Sequence, residues 1–90
     1  MTLYEQTIKK WGKTLQMAML AEECSELSSA ALKMIRGREV NIAEEIADVL
    51  IMIEQWYVMF DGLEELVKQA RIDKLARLRK RLGITLTKGG

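Results

Sequence analysis

Glu22, Glu23 and Glu26 in one stretch, and Glu44, Glu45 and Asp48 in another, share a spacing that matters if both stretches are helical. At about 100° per residue, each trio projects within an arc of about 100°, with the last acid of the three between the other two. Two acidic faces of this kind, brought together from neighbouring helices, form a cage of oxygen ligands for a hard divalent cation. Solvated surface is the alternative for any glutamate, and Glu22 and Glu44 fit that description better than the other four. Asp48 stands out because Ala47 and Val49 flank it in the most apolar part of the chain. Buried there without a partner it would cost several kcal/mol, so a metal or a basic group is expected to compensate it.

The composition narrows the chemistry further. The chain has 90 residues and contains no histidine. That excludes a Ser-His-Asp or Cys-His nucleophile, a histidine-ligated zinc and a Glu-x-x-His di-iron site. Catalysis is left to carboxylates, lysine, arginine, hydroxyls or a metal. The single cysteine, Cys24, cannot close an internal disulfide and reads as a small packed residue. The first residues contain no apolar run resembling a signal peptide, and the expected compartment is the cytoplasm.

These acids need helices to present them. There is no proline, and 49% of the residues are hydrophobic, which favours an all-α fold. Capping-box patterns at Thr2 and Glu5, Asn41 and Glu44, and Asp61 and Glu64 mark helix starts, while Gly12, Gly37, Gly62 and Gly83 mark turns and stops. Helices are therefore expected over Leu3–Trp11, Thr14–Arg36, Ile42–Phe60 and Leu63–Leu82, forming one small bundle over residues 1–83 with a frayed tail at 84–90. The segment from Ile46 to Phe60 is nearly apolar, but Asp48, Glu54 and Gln55 interrupt it short of the ~18 to 20 residues a membrane span needs. Its apolar residues point in every direction, more than three short companion helices can cover. A homo-oligomer, dimer or tetramer, with this helix at its centre is expected.

The two acid pairs lie on the runs AEECSEL and EEIADVL, as Glu23-x-x-Glu26 and, after eighteen intervening residues, Glu45-x-x-Asp48. This arrangement resembles the signature of the MazG-like, all-α nucleoside triphosphate pyrophosphohydrolase superfamily, and the resemblance extends from about Trp11 to Arg81. It implies Mg²⁺ or Mn²⁺ held by Glu23, Glu26, Glu45 and Asp48, and hydrolysis of a (deoxy)nucleoside triphosphate to the monophosphate and pyrophosphate. It also implies that Lys74 and Arg77, on a basic last helix with Arg71 and Arg81, lie near the phosphates. Gln16 is two turns before Glu23 and rotated from it by only about 20°, so it points along the acidic face, where it can pair with a base edge. Trp11 and Trp56 are candidate stacking surfaces for the base, although tryptophans in a small bundle more often belong to the core.

Charge is segregated, with acids from Glu22 to Glu65 and bases from Lys68 to Arg81 around a net charge of +1. A competing reading is therefore a non-catalytic helical module, dimerising through the third helix and binding a nucleotide or nucleic acid through the fourth. Nucleic acid is the less favoured partner, because that reading leaves Asp48 unexplained. One geometric demand remains. In a straight antiparallel hairpin the two acid pairs reach equal depth only if the turn is centred near Ile35 and Arg36, whereas the turn residues run from Gly37 to Asn41. Either the linker doubles back or a crossing angle absorbs a mismatch of roughly 9 Å.

Overall fold

The computed structural model describes residues 1–84, which form four helices: α1 (Leu3–Trp11), α2 (Lys13–Ile35), α3 (Ile42–Met59) and α4 (Leu63–Arg81). The fold is all-α, as the sequence leads one to expect, and each helix end lies within a residue of its expected position. The expected frayed tail beyond Ile84 lies outside the described residues. No helix among the described residues is long and apolar enough to cross a membrane.

Local chemistry sets the helix ends. At α1 the capping box is complete: Glu5 N–H donates to Thr2 Oγ1, and Thr2 N–H donates to Glu5 Oε1 at 2.9 Å. At α3 only half of it forms, with Glu44 N–H donating to Asn41 Oδ1 at 3.3 Å. The expected box at Asp61 does not form, because Gly62, in the left-handed conformation at φ 80°, takes the N-cap position of α4 and has no side chain to accept a bond. Gly37, at φ 76°, ends α2 in a Schellman turn: Arg38 N–H donates to Lys33 O and Gly37 N–H to Met34 O, both at 3.0 Å.

The core of the chain is the antiparallel pair α2 and α3, with α1 laid across both. Ala30, Met52 and Met59 are its buried apolar residues, and Gln16 and Gln55 are buried with them. α1 is tied on by two side-chain bonds, Tyr4 Oη to Glu54 at 2.5 Å and Thr7 Oγ1 to Gln55 Oε1 at 3.1 Å. The Tyr4 hydroxyl titrates above its ordinary value, chiefly because it donates to Glu54. α4 touches only α3, and sparsely.

The geometric demand raised by the acid spacing is met by a linker that doubles back. α2 runs on to Ile35 and α3 begins at Ile42, yet acids Glu23 and Asp48 come together. With those two level, Ile42 lies opposite Ser29, and the last six residues of α2 overhang by about 9 Å. Residues 38–41 are irregular and Val40 is half-buried, while the overhanging Leu32, Met34 and Ile35 are exposed, Ile35 at 82%.

Gln16 is 1% exposed, and its Nε2 has no hydrogen-bond partner. An orphaned buried donor is costly, so Gln16→Leu is expected to stabilise the chain by about 1 kcal/mol. Urea unfolding at fixed protein concentration measures this. A lower midpoint in the variant would show that the side chain contributes more to the fold than its unpaired nitrogen costs.

Candidate metal centre

One carboxylate oxygen from each of Glu23, Glu45 and Asp48 lies within 4.8 Å of the others. The antiparallel pairing of α2 and α3 creates this meeting, and the doubled-back linker sets its register. Glu23 and Glu45 are half-buried in the seam between the helices, and the Oε2 atom of each is buried with no hydrogen-bond partner. Two neighbouring acids that each bury an unpaired oxygen, grouped with a third acid, are an arrangement that a cation stabilises, and among the described residues no basic side chain forms an ion pair with them. Burial, followed by the charges of Glu26 and Asp48, a hydrogen bond with Glu26 and the charge of Glu45, holds the Glu23 carboxyl above the ordinary glutamate range.

Three of the four expected ligand positions thus converge. Glu26 is exposed and outside the close group, although it is near enough to influence Glu23. Asp48 requires a correction. It is exposed rather than buried, because it sits at the rim of the α2–α3 seam, so burial is no reason for it to need a partner. The orphaned oxygens belong to Glu23 and Glu45 instead. Glu22 and Glu44 are exposed, as solvated helix surface would be.

An all-carboxylate donor set suits a hard divalent cation such as Mg²⁺ or Mn²⁺ and offers nothing to a soft one. Cys24 is exposed, contrary to its reading as a packed residue, and is not part of the acid group.

The other candidate residues are distributed more widely. Gln16 is in the core of the hairpin rather than on an open face. Trp56 is half-buried, packs edge-on against Phe60 with ring centroids 5.5 Å apart, and has an indole N–H without a partner. It lines a concavity with Phe60, Asp61, Leu63 and Leu66. Trp11 is exposed, with the Lys10 ammonium 5.4 Å from its ring. Lys74 and Arg77 are exposed on α4 and form no ion pair among the described residues. Gln55, which in the sequence only interrupts an apolar run, is buried and accepts a bond from Thr7; a polar residue at a core position of α3, one residue after Glu54, is the sequence signal for this tie to α1.

No family model matches the chain, and no curated protein or solved structure is significantly similar to it.

The raised Glu23 pKa has a thermodynamic sign. Between the ordinary glutamate value and the raised one, the folded state binds more protons than the unfolded, so stability is lost as pH rises through that window. In chelator, the melting temperature is expected to fall across this range, and Glu23→Gln is expected to melt higher than the wild type and to flatten the dependence. Added Mg²⁺ should raise the wild-type melting temperature and leave that of Glu23→Gln nearly unchanged. A wild-type melting temperature indifferent to Mg²⁺ would count against a metal at this cluster.

Proposed function

We propose that the chain is a metal-dependent nucleoside triphosphate pyrophosphohydrolase that works as a homo-oligomer. The observation that carries this reading is the acid group of Glu23, Glu45 and Asp48, one oxygen of each within 4.8 Å of the others, together with a buried, unpartnered oxygen on Glu23 and another on Glu45. The resemblance of its two sequence runs to MazG-like enzymes supports the same reading.

Glu23, Glu45 and Asp48 would hold the cation, with Glu26 as a further ligand from the next turn of α2. Mg²⁺ or Mn²⁺, when bound, lowers the pKa of water and offsets triphosphate charge. The reaction breaks the bond between the α-phosphorus and its bridging oxygen. Water supplies the new oxygen to the monophosphate, and pyrophosphate leaves. A carboxylate of the cluster is positioned to orient or accept a proton from that water. Lys74 and Arg77 are assigned to the departing phosphates. Trp56, whose half-buried ring lines an apolar concavity, is the stronger base-contact candidate, ahead of Trp11 and of the deeply buried Gln16.

The non-catalytic alternative, a nucleotide- or nucleic-acid-binding module, draws on one observation, that α4 is basic and exposed. Binding without turnover is what distinguishes it.

A panel of (d)NTPs with Mg²⁺ or Mn²⁺ is expected to yield monophosphate and pyrophosphate. Orthophosphate release, or binding without turnover, would refute the assignment. Glu45→Gln and Asp48→Asn are each expected to abolish turnover with helical content intact by circular dichroism, and normal activity in either would remove that acid from the site. Lys74→Ala is expected to lower kcat/KM by roughly ten- to a hundredfold, the size of a charge-assisted bond to phosphate. Lys80→Ala, on a different face of α4, should change it little. Equal small losses would make the basic helix a solubilising surface.

A further inference from the structure

The phosphate-binding role given to Lys74 and Arg77 meets a difficulty within one chain, because α4 does not lie alongside the acid cluster. Its 19 residues extend about 28 Å from the elbow at Phe60–Gly62 and touch only α3, sparsely. Most of a helix's stability in a protein comes from tertiary packing, and this one leaves Leu66 70% and Leu82 65% exposed. Val67, Ala70, Leu75 and Leu78 line a shallow apolar concavity along it with Lys74 among them. On α3, Ile46, Leu50, Ile51 and Val58 are exposed as well.

The spacing about the elbow is nonetheless matched. Asp48 and Lys74 are each thirteen residues from Asp61, and Glu45 and Arg77 are each sixteen from it. A fourth helix lying antiparallel along α3 would therefore bring Lys74 level with Asp48 and Arg77 level with Glu45. The elbow prevents the chain's own α4 from doing so: Phe60 is extended at φ −123°, ψ 109°, and Gly62 is left-handed, which sends α4 outward. The same matched contacts are open to the α4 of another molecule.

We infer that α4 is an arm exchanged between two copies of this chain, each copy's arm lying along the partner's α3 and bringing Lys74 and Arg77 to the partner's acid cluster. The areas agree with such a pairing. The chain exposes 7333 Å², against about 5,400 Å² for a compact protein of its mass. That excess is well above the ~800 Å² per partner that a stable interface buries. The charges agree too, a basic arm meeting the acidic rim formed by Glu22, Glu26, Glu44 and Asp48. Reciprocal exchange of one element is a closed two-fold arrangement, so it stops at a dimer. The role of the cations rests on the proposed hydrolase reading, but the exchange itself does not.

The test separates the two. In a Cys24→Ser background, one chain carries Ile51→Cys and another Arg71→Cys, positions equally distant from Asp61. The two chains are mixed, unfolded and refolded together, and treated with a short bis-maleimide. Exchange predicts a covalent heterodimer on denaturing gels. A link that forms only inside a chain carrying both substitutions would show that α4 closes onto its own α3, and no link in either case would show that it does not engage α3; either result overturns the inference. An activity arm follows. Asp48→Asn chains refolded with Lys74→Ala/Arg77→Ala chains are expected to recover about a quarter of wild-type turnover, since half the dimers would hold one intact site of two. Neither variant alone should recover it. A cross-link between the two substituted chains, together with a wild type that has no hydrolase activity, would keep the exchange and remove the hydrolase reading. Turnover confined to chains with both acid and cation intact, with no recovery on mixing, would overturn the exchange.

Discussion

Carboxylates of like charge are held together where α2 crosses α3, and much of the rest of the structure serves to keep them there. Glu23 and Glu45 each bury an oxygen in the seam, and among the described residues neither forms an ion pair. Unaided, such a cluster repels itself, and protonation of Glu23 is one way the protein relieves the strain. A divalent cation relieves it more completely. The register needed to form the cluster explains features that otherwise look wasteful, above all the overhang of α2. Its last turns protrude with Ile35 in solvent so that the linker can return and start α3 low enough for Glu45 and Asp48 to meet Glu23.

The thinness of the core is the second constraint. Burying a methionine is worth about 1.5 to 3 kcal/mol, and among the described residues Met52 and Met59 with Ala30 are the buried apolar ones. Ordering a single backbone residue costs about 1 to 2 kcal/mol. The chain's radius of gyration, 17.0 Å, exceeds the ~12 Å of a compact domain of its length. An extended protomer with exposed apolar residues on α3 and α4 has the shape of half an assembly, and in the proposed dimer a second copy would supply the missing burial. On this account the acid site and the assembly are not separate matters, since the arm proposed to cover α3 also bears the cations.

Much of the architecture was legible in the sequence. Glycines and capping residues marked the helix ends, because backbone conformation and end-group satisfaction are local properties. The acid pairs were legible as well, since helical periodicity and spacing put them on faces. Burial was harder to read. Asp48 looks buried from its neighbours Ala47 and Val49, yet those neighbours point elsewhere on α3 and leave Asp48 at a rim. Gln16 was placed on an open face by its rotation relative to Glu23, but the packing of α1 and α3 around the start of α2 closes that face. Asp61 matched a capping pattern, and Gly62 displaced it because only a left-handed residue makes the sharp elbow. In each case the deciding contact comes from another element, which a single helix's pattern does not contain.

The claim on which this account stands is that Glu23, Glu45 and Asp48 form one divalent-cation site. Titration of the chain with Mn²⁺, following free Mn²⁺ by electron paramagnetic resonance, tests it without reference to any substrate. The account predicts saturable binding at one principal site per chain, competed by Mg²⁺ and lost in Glu45→Gln. Weak, unsaturable binding that is the same in wild type and Glu45→Gln would contradict it.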